Sequence, residues 1–150
     1  MLIKPKALLY LYDFDHFEEV DDYLCRLGFI PQSNADHIKF YKGENEVLMI
    51  DLSDGNIVQA TYKTLDELNY LAFINYAEDD LGYILIHEDQ KTTSSFRRYD
   101  GDRHSLIFVV ISGDLSTSYT VRLQDKLDQT SGVLYDISID PPPKPVNRTY

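Results

Sequence analysis

Two aspartates one residue apart, Asp13 and Asp15, have the spacing of a carboxylate pair that could do chemistry. They end an apolar run, and this run predicts a central strand over residues 7–13. Carboxylates at the C-terminal end of a strand can hold Mg²⁺ through their oxygens. Alternatively, one of them attacks a phosphoryl group while the other acts as acid or base. The pair is therefore a candidate site for magnesium-dependent phosphoryl transfer.

The stretch from Asp13 to Asp15 resembles the first motif of the haloacid dehalogenase-like phosphatases, in which Asp-x-Asp follows an apolar strand. The resemblance implies a phosphatase whose later acidic motif would be Glu78-Asp79-Asp80. The chain departs from the motif at His16 and Phe17, because the family continues there with a small hydroxyl residue. No strand ending in Ser or Thr supplies the second motif. The resemblance therefore covers about a dozen residues, and no family is recognised over the whole chain.

Asp15 also has a simpler interpretation as a helix N-cap. Its carboxylate can accept hydrogen bonds from the free N–H groups of a first helical turn, and Glu18 stands at the capping-box position. Gly28 supplies the left-handed residue that ends such a helix. The predicted apolar stripe consists of Phe17, Val20, Leu24 and Leu27. The predicted solvent side carries Glu18, Glu19, Asp21 and Asp22.

The rest of the chain reads as strands with one further helix. Thr64 is expected to cap that helix, with Leu65, Leu68 and Leu71 (or Ala72) on its apolar stripe. Alternating apolar residues and turn signals, including Asp54-Gly55, predict strands over 37–41, 46–52, 56–62, 83–87, 92–99, 103–111, 119–123 and 133–139.

The predicted order of elements is β-α-β-β-β-α-β-β-β-β-β. This order favours an α+β fold with a largely antiparallel (mixed) sheet of about six to eight strands and two amphipathic helices on one face. We expect one domain over residues 1–140 and a Pro-rich flexible tail over 141–150. Residues 17–20 and 65–68 are alike, which leaves two explanations open: an internal duplication, or two similar helix starts.

The charge of the chain limits the kind of partner. The net charge is −11, and it is concentrated in residues 1–90, which carry −12 against +1 for residues 91–150. Such a surface repels phosphate backbones and attracts basic proteins, so we expect no direct contact with nucleic acid. No apolar run approaches the roughly 20 residues of a membrane span, and no secretory signal is recognised. A cytosolic protein without membrane contact is expected, and plain solubility remains the alternative explanation of its acidity.

Other reactive side chains give no catalytic pattern. Cys25 is the only cysteine, so it can form neither an internal disulfide nor a thiolate metal site. Arginines beside the Asp100-Gly101 turn could bind an anion, but pairing across an exposed hairpin is the simpler interpretation; they are Arg97, Arg98 and Arg103. The four histidines have no ligand spacing on one helix, and they are His16, His37, His87 and His104. We therefore predict no cofactor and no metal ligand.

The favoured hypothesis is a small acidic binding protein, an inhibitor or immunity-type domain that docks a basic partner, and not an enzyme. Abundant tyrosine, 12 of 150 residues without Trp, suits such a contact surface. The alternatives are the magnesium-dependent phosphoryl enzyme using Asp13 and Asp15, and a small-molecule binding module. The sequence does not fix the oligomeric state. The predicted partner-binding residues are Glu18, Glu19, Asp21, Asp22, Asp66, Glu67, Glu78, Asp79 and Asp80.

Overall fold

The computed structural model describes residues 2–126, apart from the side chains of Ser33 and Asn34. The predicted strand over 133–139, the domain boundary at 140 and the predicted tail lie outside the described residues. Three helices are present: α1 (Pro5–Tyr10), α2 (Phe17–Leu27) and α3 (Glu67–Asn75). A 3-10 turn (Leu11–Asp13) follows α1, and a π-helical turn (Tyr76–Asp80) continues α3. The strands are β1 (Ile30–Asn34), β2 (Ile38–Gly43), β3 (Glu46–Ser53), β4 (Asn56–Thr64), β5 (Ile84–Gln90), β6 (Ser94–Asp100), β7 (His104–Ser112) and β8 (Thr117–Asp125).

The eight strands form one antiparallel sheet in the order β1-β2-β3-β4-β8-β7-β6-β5. Two four-stranded meanders are therefore joined through their last strands, with Thr61 of β4 opposite Arg122 of β8. Helix α2 precedes the first meander in the chain, and α3 precedes the second. The two halves thus repeat one order of elements, a helix followed by four strands. The predicted α+β fold with a largely antiparallel sheet is confirmed.

The core lies between one face of the sheet and the helices. Val20 and Leu24 of α2 and Tyr70 and Phe73 of α3 are buried in one cluster with alternate residues of the strands. Side chains alternate between the two faces of a strand, so the residues beside those of the cluster point to the other face. The sheet residues in the cluster are Tyr41, Leu48, Ile50, Ala60, Tyr62, Tyr99, Leu106, Phe108, Val121 and Leu123.

The predicted strand over residues 7–13 is wrong, because this segment forms α1 and the 3-10 turn. Leu8 and Leu11 lie three residues apart and are both fully buried, whereas Tyr10 between them is exposed. Pro5 stands in the first turn of α1, where the fixed φ of proline suits a helix start. A short apolar run does not distinguish strand from helix, and this proline was the signal that could have decided between them.

Asp15 does not cap α2, which corrects the predicted capping box. The helix begins at Phe17, and His16 occupies the N-cap position without a side-chain hydrogen bond to the helix. The predicted end at Gly28 is confirmed. Gly28 has a left-handed φ of 107°, and its N–H donates to the carbonyl oxygen of Cys25 at 3.1 Å.

The start and the buried face of α3 also differ from the prediction. Thr64 is the last residue of β4, and Asp66 caps the helix by accepting a 2.9 Å hydrogen bond from the backbone N–H of Leu68. The expected apolar stripe faces outward, with Leu68 75% exposed and Leu71 40% exposed. The buried face consists instead of Tyr70, Phe73 and Ile74, followed by Ala77 in the π-helical turn.

Strand β1 was not predicted from the sequence. It contains Pro31, which interrupts the apolar alternation on which strand prediction depends. The strand lies at one end of the described sheet, where a missing backbone N–H costs little. The predicted tight turn at Asp54 and Gly55 is confirmed, since both residues have the positive φ that this turn requires, 52° and 78°.

Candidate protein-binding surface

The proposed magnesium pair does not have the geometry that its motif requires. Asp13 ends the 3-10 turn, and Asp15 lies between that turn and α2, so neither follows a strand. Both carboxylates are exposed. Within residues 2–126, no group of three or more His, Cys, Asp or Glu side chains is placed to hold a metal ion. Within the part of the chain that the structure describes, the two aspartates therefore have no partner group for the chemistry proposed from their spacing.

A depression beside the start of α2 is relevant to the small-molecule alternative. It is lined by Tyr12, Phe14 and Phe17 on one side and by Gly55 and the first two residues of β4 on the other. Its volume is about 80 Å³. Ligand pockets usually measure roughly 300–1,000 Å³, so this depression holds a few water molecules rather than an organic ligand.

The arginines beside the Asp100-Gly101 turn pair with carboxylates of the sheet. Arg98 Nε contacts Asp100 Oδ1 at 3.0 Å, and Arg97 Nε contacts Glu88 Oε2 at 3.2 Å. Arg97 lies on β6, and its register partner on β5 is Glu88, so this ion pair joins two neighbouring strands. The predicted pairing across the Asp100-Gly101 hairpin is not what these contacts show, because Asp100 lies on the same strand as Arg98 and Glu88 lies on β5. Both arginines nevertheless have a carboxylate partner, which favours internal charge pairing over an anion site.

The four predicted contact carboxylates of α2 differ in what they do. Asp21 is half-buried and accepts a 2.6 Å hydrogen bond from the hydroxyl of Tyr41 on β2. It therefore holds α2 on the sheet. The other three are exposed and make no side-chain hydrogen bond or ion pair within the described part of the chain; they are Glu18, Glu19 and Asp22.

The five predicted contact carboxylates of α3 and its π-helical turn divide in the same way. Asp66 caps the helix, and Glu78 accepts a 2.7 Å hydrogen bond from the hydroxyl of Tyr99. Glu67 has a longer contact of 3.4 Å with the hydroxyl of Tyr119. Asp79 and Asp80 are exposed and have no such partner among residues 2–126. These two remain available to a partner without cost to the fold.

The nine carboxylates form two groups on the helical side of the sheet. Helix α2 packs over β2 through Asp21 and Tyr41. Helix α3 packs over the centre, where the rings of Phe73 and Tyr62 of β4 stack with centroids 5.0 Å apart. Its π-helical turn reaches β6 through Glu78. One acidic group therefore lies on each half of the sheet.

Tyrosine hydroxyls join the helices to the sheet, and this arrangement changes their titration. Burial, with the Glu78 carboxylate beside it, raises the pKa of Tyr99 from 10.0 to about 12. Burial raises the pKa of Tyr70 to about 12 as well, and it raises the pKa of Tyr41 far above its ordinary value, where Asp21 adds to the effect. The fold therefore favours the protonated form of these side chains.

We expect the free energy of unfolding to be unaffected by these tyrosines below pH 10 and to fall steeply between pH 10 and 12. The folded-state pKa values lie above the unfolded value, so the unfolded chain releases these protons first as the pH rises. Urea unfolding at a series of alkaline pH values measures this, and tyrosinate absorbance follows ionisation without interference because the chain has no Trp. A constant unfolding free energy up to pH 12 would contradict the assignment.

Sequence reasoning missed an exposed apolar surface on α3. We name Leu65, Leu68 and Leu71 the leucine stripe; Leu65 lies just before α3 and the other two lie on its outer side, and they are 40%, 75% and 40% exposed. Helical spacing continues this line through Asn75 to Asp79, both exposed. Large apolar side chains exposed together and rimmed by charge are typical of protein contact sites. Tyr70, Phe73, Ile74 and Ala77 also have helical spacing and define a second possible buried face. This pattern was the sequence signal that could have shown the leucines to be exposed.

Comparison with protein-family models, with curated proteins and with solved structures finds no match for this chain. Among residues 2–126 there is no helix with the length and apolar character needed to cross a membrane. The structure thus shows an α+β fold with two acidic groups and a leucine stripe on the helical side of its sheet.

Proposed function

We propose that this protein is a protein-binding domain of the inhibitor or immunity type, which docks a basic partner through α3 and the π-helical turn. The leucine stripe carries this proposal, because exposed leucines rimmed by unpaired carboxylates provide an apolar contact and a charged rim together. The rim consists of Asp79 and Asp80 at one end of the stripe.

The two parts of this surface have different roles in binding. Fully burying a leucine side chain contributes about 1.5–3 kcal/mol, and each leucine of the stripe can contribute in proportion to its exposed fraction, so the stripe supplies affinity. Exposed carboxylates at a rim contribute little to affinity, but they speed the encounter with a cationic surface and select against acidic partners. The three exposed carboxylates of α2 add to the long-range field from the other half of the sheet.

An inhibitor of this kind acts by covering the basic surface that its partner needs for activity. The rigid packing of α3 supports this mode, because Tyr70, Phe73 and Ile74 hold the helix on the sheet while its outer side remains free. A preorganised surface loses little conformational entropy on binding, which favours a tight and lasting complex.

Affinity capture from a native lysate, eluted with a salt gradient, tests the proposal. Wild-type bait should retain a basic protein, and bait carrying Asp79→Lys and Asp80→Lys should release it at lower salt. The matched control carries Glu18→Lys and Glu19→Lys, which changes the net charge equally but leaves α3 intact. A partner that both variants release at the same salt concentration would place the contact elsewhere. The absence of any salt-eluted basic protein would count against a basic partner.

A further inference from the structure

Strand β5 is unusual among the described strands because all seven of its residues are exposed. It lies at one end of the sheet and, among the described strands, pairs only with β6. Its first three residues are large and aliphatic, and Ile84, Leu85 and Ile86 are 69%, 42% and 51% exposed. In a strand paired on one side, every second residue directs its N–H and C=O away from its neighbour. Such an edge is a template for another strand.

Among the described strands, β1 at the other end of the sheet is the less suited to receive another strand, and β5 is the more suited. Strand β1 has five residues, contains Pro31 and has an irregular register with β2. A proline without an N–H and a short, irregular strand both hinder the addition of another strand. Strand β5 has seven residues and neither Pro nor Lys. Like β1 it has one register shift, which lies between Leu85 and His87 and leaves Ile86 without a register partner on β6. The length of β5 and its lack of Pro and Lys are therefore what distinguish it from β1.

The chemistry of β5 changes along its length. The aliphatic half is followed by Glu88 and Asp89, both exposed. Glu88 already contacts Arg97 through Oε2, which leaves its second oxygen for an incoming cation, and Asp89 has no ion pair within residues 2–126. The π-helical turn lies next to the aliphatic half, since the N–H of Tyr83 donates to the carbonyl oxygen of Ala77 at 2.9 Å. Glu78 of that turn bonds to Tyr99, which is the register partner of Leu85. One carboxylate therefore lies beside the exposed aliphatic segment, and two more follow it in the strand.

We propose that β5 receives an extended segment of the partner protein as a ninth, antiparallel strand. The segment carries Lys or Arg opposite Glu88 and Asp89 and aliphatic residues opposite Ile84, Leu85 and Ile86, so it runs from basic to apolar in the N-to-C direction. Backbone hydrogen bonds supply affinity, and the side-chain order supplies specificity. This inference rests on the proposed function in one respect, the basic character of the partner.

A second copy of this chain is the poorer occupant of β5. Antiparallel self-pairing over all seven residues centres on His87 and would set Leu85 against Asp89 and Ile86 against Glu88, so apolar and charged side chains would face each other. A register centred on Leu85 would match the aliphatic residues, but it would pair only the first half of the strand. Each copy also carries a net charge of −11, and the two copies would repel. Charge complementarity therefore favours a basic segment.

Hydrogen exchange with a synthetic probe tests the inference on the intact protein. The probe is acetyl-Thr-Lys-Arg-Thr-Val-Ile-Val-amide, whose side chains match β5 in antiparallel register. At ten times its dissociation constant, it should slow exchange of the outward β5 amides by about 10-fold. A version with Glu-Glu in place of Lys-Arg should bind roughly 10-fold more weakly. A version with alternate N-methylated amides keeps the side chains but should give no protection.

Three results would overturn the inference. The first is protection outside residues 84–90, or no protection at all. The second is equal protection by the N-methylated probe, which would mean that side chains alone bind. The third is protection of β5 in the free protein that rises with protein concentration, which would identify a second copy as the occupant. The lysate experiment with the Asp79 and Asp80 variants tests binding by the π-helical turn, which is a different element from β5. A negative result in the hydrogen-exchange experiment would therefore not contradict the proposed function.

Discussion

Replacing Phe73 with Ala is expected to lower the free energy of unfolding by about 3–5 kcal/mol. The side chain of Phe73 is 1% exposed and stacks on Tyr62 in the core beneath α3. Its removal would leave a cavity between α3 and β4, and the sheet on one side prevents the site from collapsing fully. Urea denaturation of the purified variant, followed by circular dichroism, measures the loss.

Leu68→Ala is the matched control on the same helix. Both variants place Ala on α3 and remove a large apolar side chain, but Leu68 is 75% exposed and is expected to change stability by no more than about 0.5 kcal/mol. The difference between the two losses of unfolding free energy shows which side of α3 faces the sheet. A larger loss for Leu68→Ala than for Phe73→Ala would mean that α3 faces the sheet with its leucines, as the sequence pattern alone suggested.

Much of the sheet was predictable because its turns are encoded locally. Asp54 and Gly55 both require positive φ, and such a pair marks a two-residue hairpin in any context. Gly28 marks the end of α2 for a similar reason. These signals, together with alternation in the strands, were sufficient for the α+β fold class and for seven of the eight described strands.

Helical faces were less predictable because several residue types compete for the core. On α3, the leucine stripe and the set of Tyr70, Phe73 and Ile74 both have helical spacing. The aromatic set fills more of the space above the sheet, and tertiary packing selects it. On α1, the apolar run carries no clear period, so its helical state depends on Pro5 and on packing of Leu8 and Leu11.

The candidate surface was predictable only in part. The sequence identifies the carboxylates as outward-facing, but it does not show that Asp21 and Glu78 bond to tyrosines of distant strands. Such partners depend on how helices and strands meet, which short-range patterns do not record. The exposure of the leucine stripe and of β5 likewise follows from tertiary structure. Binding by these residues remains a prediction.

The second large expected effect is a loss of affinity for the partner protein. Replacing Leu68 and Leu71 together with Gln is expected to weaken the complex about 100-fold, which corresponds to about 3 kcal/mol of lost apolar burial. Gln has a helix propensity close to that of Leu, and Leu68 is 75% exposed, so the fold should persist. Leu71 is 40% exposed, so a modest fall in the melting temperature is expected, and affinity is compared at a temperature where the wild type and the double variant are both folded. The loss of affinity should appear mainly as faster dissociation.

Calorimetric titration of the purified partner into this double variant tests the account most directly, with Leu115→Gln as the control. Leu115 is a fully exposed leucine in the β7–β8 connection, far in sequence from α3. We expect wild-type affinity for the control and a roughly 100-fold weaker complex for the double variant. Equal affinity of the two variants would contradict the claim that the outer side of α3 is where the partner docks.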